Sequence, residues 1–202
     1  MKNTKLLCNV VLASACAFLS ACATTPATPP SEATVAAYRD VIELAGRLSV
    51  NYDKDGRQET LSGKFTWNQR AGDVDVELIS PLGQTIATIA VTPLSATLTQ
   101  SGKAPRTARD IDSLTAQTLG WSLPVSGLRD WLQGYAVAAD GQRYAASPAN
   151  NTVTTRDGWR LTFVNWQEGM AGQPVPRRID AQRVATAGVS ELALRIVIDQ
   201  PG

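Results

Sequence analysis

A chain of 202 residues, 44% of them hydrophobic, is long enough for one domain with a sizeable core. Its formal charge of +1 argues against nucleic acid and against broad attraction to anionic surfaces. It has no histidine, and its three cysteines, Cys8, Cys16 and Cys22, all lie near the N-terminus, so the body lacks the commonest general base and any thiolate or disulfide chemistry.

Met1 to Cys22 reads as an export and anchoring device. Lys2 and Lys5 form a basic start, and removing them turns the charge of +1 into −1. Leu6 to Leu19 is apolar but shorter than the roughly 20 residues of a membrane span, so it is a secretory signal. Leu19-Ser20-Ala21-Cys22 looks like a bacterial lipobox, in which the cysteine is acylated and becomes the first mature residue. The domain boundaries expected from this are 1–21 for the signal peptide, 22–32 for the lipidated N-terminus and a Pro-rich tether, and 33–202 for a single folded body. Ala23 and Thr24 lack the aspartate associated with retention in the inner membrane. By resemblance to sorted lipoproteins, the destination is the outer membrane, facing the periplasm.

In the body, Ser31 is placed to cap a helix over 33–44, with Val35, Tyr38 and Ile42 on one stripe. Gly46 to Tyr52 alternates as a strand, and Asp53 to Gly56 is a hairpin turn. That turn has a superficial likeness to a calcium loop, but the remaining ligands are absent. Glu59 to Asn68 is the next strand. Asp73 to Leu78 alternates strictly: Asp73, Asp75 and Glu77 face one way, Val74, Val76 and Leu78 the other. Ser80-Pro81-Leu82-Gly83 then turns the chain into a strand over 85–91. Pro81 and Gly83 suit a turn, whereas Leu82 is unusual at a turn tip. It is either tucked under the sheet or offered outward. Ser95 to Gln100 is a further strand.

The pattern then changes. Asp110 caps a helix carrying Ile111, Leu114 and Leu119, stopped by Gly120. Trp121 to Val125 is a link, and Ser126 caps a second helix over 127–133 with Leu128, Trp131 and Leu132 on its apolar side. Both helices are short and apolar, so they must lie on a sheet. The remainder returns to β: 142–146, 152–156, 159–166, 178–184 and 191–199, with a Gly- and Pro-rich loop over 168–176. The fold class expected is mainly β with α, an α+β arrangement. Its architecture is a strongly curved antiparallel sheet forming an incomplete barrel, with helices across the open side. Whether the enclosed space is an apolar cavity or a solid core stays open at this level.

Several chemistries are missing. There is no Gly-x-Ser-x-Gly elbow, no Walker loop and no Gly-x-Gly-x-x-Gly after a strand. The acids sit at caps and turns or on wet strand faces, and the tryptophans are in phase with apolar neighbours. Nothing calls for an enzyme, a cofactor or a metal.

An ordered set of motifs runs through the mature chain: Gly46-Arg47-Leu48-Ser49-Val50; Phe65-Thr66-Trp67; Leu78-Ile79-Ser80-Pro81-Leu82-Gly83-Gln84-Thr85; Leu119-Gly120-Trp121-Ser122-Leu123-Pro124-Val125; and Leu128-x-x-Trp131-Leu132-x-Gly134. Behind a lipobox, this set resembles the LolB family of outer-membrane lipoprotein receptors. The resemblance implies an unclosed β-barrel with a helical lid over an apolar cavity. It implies a monomer that accepts lipoproteins from a soluble periplasmic carrier of the LolA type and places them in the inner leaflet of the outer membrane. It also implies that Leu82, flanked by Pro81 and Gly83, protrudes and serves delivery into the bilayer. By phase, the residues facing the acyl chains would be Phe65, Trp67, Val76, Leu78, Leu98, Leu161, Phe163 and Leu194 from the sheet, with Trp131 and Leu132 from the lid. Each of these also suits a solid core. Two rival classes fit the same chain: an assembly lipoprotein that binds other proteins through a filled domain, and a glycan-active enzyme with two close acids.

Overall fold

Antiparallel pairing through short turns organises most of the chain. The structure, a computed structural model, describes residues 30–54, 56–119, 125–169, 172–183 and 191–200. The signal peptide, Cys22 and most of the tether lie outside the described residues, as does the link 120–124.

Five strands follow one another as a meander: β1 (Ile42–Lys54), β2 (Arg57–Arg70), β3 (Asp73–Ile79), β4 (Thr85–Val91) and β5 (Ala96–Gln100), with a short sixth, β6 (Arg106–Ala108). Two helices come next, α1 (Ile111–Leu119) and α2 (Val125–Trp131). A small hairpin, β7 (Tyr135–Val137) with β8 (Arg143–Ala145), leads to β9 (Thr152–Thr154), β10 (Arg160–Glu168), β11 (Pro174–Arg183) and β12 (Leu192–Ile198). One ten-stranded sheet has the order β6-β5-β4-β3-β2-β1-β12-β11-β10-β9. All its pairings are antiparallel, and β12 returns to pair with β1, Gly46 opposite Ile198 and Tyr52 opposite Leu192. The edge strands β6 and β9 do not pair with each other, so the sheet is not closed.

The two-residue period decides which side chains go inward. In β3 the buried residues are Val74 and Val76, and in β12 they are Leu192, Leu194, Ile196 and Ile198. Together with Phe65, Trp67, Leu161, Phe163 and Ile179 they form one core cluster on a single face of the sheet. Asp73, Asp75 and Glu77 are on the other face, where water solvates them.

The expected helix over 33–44 is not formed. Its stripe of Val35, Tyr38 and Ile42 is real, but tertiary contacts claim it for extended chain. The Val35 and Ala36 amides donate to Ala146 O at 2.9 Å and Pro174 O at 3.3 Å. Tyr38 packs edge-on against Tyr135, and β1 pairing with β2 already begins at Ile42 opposite Gln69. The expected loop over 168–176 is also shorter than its composition suggests. Pro174 and Pro176 belong to β11, next to a register shift in β10 around Asn165 and Trp166, where irregular pairing tolerates a residue without an N–H. The strands β6 and β7, three residues each, went unseen in the sequence because three residues carry no period.

Candidate functional site

Between the sheet and the two helices lies an apolar cavity of about 210 Å³. The sheet supplies Phe65 and Trp67 from β2, Val76 and Leu78 from β3, Leu98 from β5 and Leu194 from β12. The helical side supplies Thr115, Thr118, Val125, Leu128 and Leu132. Seven of the ten residues assigned by phase therefore line it: these six sheet residues and Leu132.

Trp131, Leu161 and Phe163 do not line it. They belong to the packed half of the domain, under β9 to β11. Leu161 and Phe163 are fully buried there, Trp131 stands 5.9 Å from Trp159, and Phe163 stacks on Tyr144 at 6.4 Å. Phase places a side chain on a face; it does not say which part of that face another element fills.

The lining also includes residues that the sequence did not single out, among them Leu48 and Val50 from β1, Leu61 from β2, and Ile86, Ala87 and Ile89 from β4. Leu48 and Val50 were legible, since they alternate in phase with Tyr52. Ile86 was not. Leu78 pairs with Ala87 but Ile79 pairs with Thr85, so Ile86 is the extra residue of a β-bulge. The bulge puts two consecutive residues, Ile86 and Ala87, on the cavity side.

A buried amide holds the wall. Gln69 is inaccessible to solvent, accepts from Trp67 Nε1 at 3.3 Å, and donates to the Tyr38 hydroxyl at 3.1 Å. Because Gln69 is satisfied on both sides, Trp67 is fixed against the cavity without leaving a stranded polar group.

The helices are tied to the sheet at one end. Arg129 of α2 donates to the carbonyls of Ala71 and Gly72 in the β2–β3 turn, the second at 3.1 Å. Gln133 brackets the backbone of Arg39, accepting from its N–H at 2.9 Å and donating to its carbonyl at 3.0 Å. Ser126 does not cap α2 as the sequence suggested. The helix starts one residue earlier, and the Ser126 hydroxyl donates to Asp112 of α1 at 2.5 Å, joining the two helices. Asp110 does cap α1: its carboxylate accepts from the Ser113 amide at 2.7 Å, a bond that holds its pKa below the usual carboxylate value. Gly134 ends α2 with φ +83°, and a Cβ there would stand 2.5 Å from Val35 Cγ1. That glycine stops the helix and lets the N-terminal segment lie against it.

The Ser80–Gly83 turn resolves the question about Leu82. The Gly83 amide donates to Ser80 O at 2.9 Å, the Ser80 amide donates to Gln84 O at 2.8 Å, and the Ser80 hydroxyl accepts from the Gln84 amide at 3.1 Å. Pro81 and Leu82 occupy the two central turn positions, and Gly83 takes φ +85°. Leu82 is 90% exposed. A leucine on so constrained a tip is presented outward by backbone bonds.

Residues 40–200 match the family model described as Outer membrane lipoprotein LolB, which is most of the chain. The chain belongs to the LolB family. Outer-membrane lipoprotein LolB of Cupriavidus taiwanensis is 40% identical over 162 residues, covering 78% of this chain and 79% of its own. LolB of Ralstonia nicotianae is 36% identical over 210 residues, covering 98% of both. Among solved structures, a LolA superfamily protein from Nitrosomonas europaea aligns with 81% of this chain and 86% of its own, at 9% identity and a TM-score of 0.46. The protein is accordingly a lipid-anchored outer-membrane lipoprotein.

Proposed function

We propose that this protein, a receptor in lipoprotein localisation, carries the acyl chains of other lipoproteins in the cavity between its sheet and helices. It takes them from a soluble periplasmic carrier of the LolA type and releases them into the inner leaflet of the outer membrane. The observation that carries the reading is the lining: Phe65, Trp67, Val76, Leu98 and their neighbours form an unfilled space in which, among the described residues, Lys64 is the one charged residue. Such a space suits a ligand made of methylene groups. In this reading α1 and α2 are the lid. Cys22 bears the lipid anchor and residues up to 32 are the tether.

The energetics support a passive relay. Each methylene kept from water is worth about 0.8 kcal/mol, so chains pass between apolar sites without being exposed. Transfer runs toward the membrane if the receptor holds the chains better than the carrier and the bilayer holds them better still. Leu82 assists the last step by entering the bilayer. A single leucine contributes roughly 1.5–3 kcal/mol when buried. That is too little to anchor the domain, but it biases where the loop sits.

A fluorescent lipid-mimic dye tests the reading. The dye binds the protein and is displaced by fatty acyl chains, and Ala87→Phe, which fills the cavity from β4, abolishes binding while the thermal midpoint holds. Dye binding unaffected by Ala87→Phe would place the lipid elsewhere. No binding at all would favour a protein-binding module.

A further inference from the structure

The cavity and the Leu82 loop lie at related places on the sheet, and the register shows how. The β3 strand runs from the Ala71–Gly72 turn to the Ser80–Gln84 loop, so those two connections mark opposite ends of it, about 20 Å apart. The Thr92–Ser95 turn shares the end of Ala71 and Gly72, because Val74 pairs with Val91. Arg129 grips that same end, and among the described residues no helix side chain bonds to the Leu82 end in this way. At the Leu82 end, β2 continues back to Arg57 beyond the Lys64–Ile79 pair, so Leu61 stands alongside the loop. On its other side is Ile86, turned to the cavity by the bulge.

Leu61 and Ile86 are therefore both lining and rim. They line the cavity, and they are also 43% and 40% exposed. They carry the cavity wall to the outside at the end of β3 that bears the Leu82 loop. We propose that Leu61, Ile86 and Leu82 form a three-point contact with the lipid bilayer, and that an acyl chain leaves the cavity through the seam between Leu61 and Ile86. The inference rests on the lipid-carrying reading above and adds the exit route. The occupant is a bilayer because the protein is lipid-anchored, and the eight peptide steps from Cys22 to Pro30 span at most about 28 Å. The surface never leaves the neighbourhood of a membrane.

Leu94 supplies the control. It tips the Thr92–Ser95 turn at the opposite end of the sheet and is 86% exposed, nearly as much as Leu82. The experiment uses the mature acylated protein in vesicles of phosphatidylethanolamine and phosphatidylglycerol. Single variants Leu61→Cys, Leu82→Cys, Ile86→Cys and Leu94→Cys carry an environment-sensitive fluorophore, and spin-labelled lipids quench it. Labels at 61, 82 and 86 are quenched and the label at 94 is not. In the unlabelled protein, Ile86→Ser and Leu61→Ser each slow transfer of a triacylated lipopeptide into the vesicles about tenfold, measured per lipopeptide loaded. Silence at 61 and 86 while the lipopeptide still loads and transfers overturns the seam and leaves the lipid-carrying reading standing. Quenching at 94 as strong as at 61 and 86 also overturns the seam. Failure of the wild type to load the lipopeptide overturns the underlying reading and the seam with it.

Discussion

Leu82 shows how a single side chain acquires a role from its backbone. Pro81 and Gly83 announced a turn in the sequence, but whether the leucine pointed in or out depended on hydrogen bonds made by Ser80 and Gln84, which no residue pattern displays. Asp180 is a residue of another kind. Burial alone would raise its pKa, but hydrogen bonds from Arg178 and Arg195 outweigh this and hold the carboxyl below the usual value. The Arg178 pair closes to 2.6 Å on the outer face of β11 and the Arg195 pair to 3.3 Å from β12. A carboxylate depressed in the folded state stabilises the protein above its unfolded pKa, and the contribution is lost as pH falls through the folded value. Asp180→Asn is expected to cost about 1 kcal/mol at pH 7, given a partly exposed network. The cost fades as pH falls below the unfolded carboxyl value and through the depressed folded one, as urea midpoints at neutral and strongly acidic pH measure. An equal cost at both would mean that the ion pairs do not contribute.

The elements differ in how openly the sequence declares them. Strands β3 and β12 alternate strictly, and their buried faces followed directly from the two-residue period, which in β4 the bulge at Ile86 interrupts. The N-terminal segment failed the same kind of reasoning, because a helical stripe of Val35, Tyr38 and Ile42 is equally served by an extended strap whose amides find Ala146 and Pro174. Prolines 174 and 176 misled in the opposite direction, since a bulged strand tolerates them. For α2 the apolar face and the stop at Gly134 were legible, but its tie to the sheet was not. Arg129 reads two backbone carbonyls across 57 and 58 positions, a contact that has no trace in local sequence. Arg129→Ala is expected to cost about 1–2 kcal/mol, in line with hydrogen bonds made by a charged group. Amide exchange quickens in α2 while β1 and β12 stay protected, so the loss is local. Unchanged exchange in α2 would show that Gln133 and Ser126 suffice to hold it.

At the level of the whole molecule, an open ten-stranded sheet has one apolar face and must cover it. Half of that face is packed solid around Trp131, Trp159, Leu161 and Phe163; the other half, under α1 and α2, is left unfilled. Composition and phase could predict a face but not this division, because the filling comes from β7, β8 and the strap, whose places depend on long-range contacts. That is why seven cavity residues were legible and three went to the core instead. The family motifs fall where the division is made: Phe65 and Trp67 on the wall, the Leu82 loop at the end of β3 away from Arg129, and Leu128 and Leu132 of the α2 motif on the helical side of the lining.

The measurement that tests the account most directly is lipoprotein handover in a defined system of loaded LolA-type carrier, liposomes and this protein, wild type against Leu82→Glu. The account predicts that the wild type accepts cargo and delivers it into the liposomes. Leu82→Glu accepts cargo equally well and fails to deliver it, because a charge on a 90% exposed tip leaves the fold intact and bars the tip from hydrocarbon. Equal delivery by both proteins would contradict the membrane role of Leu82, and a wild type that neither accepts nor delivers cargo would contradict the receptor itself.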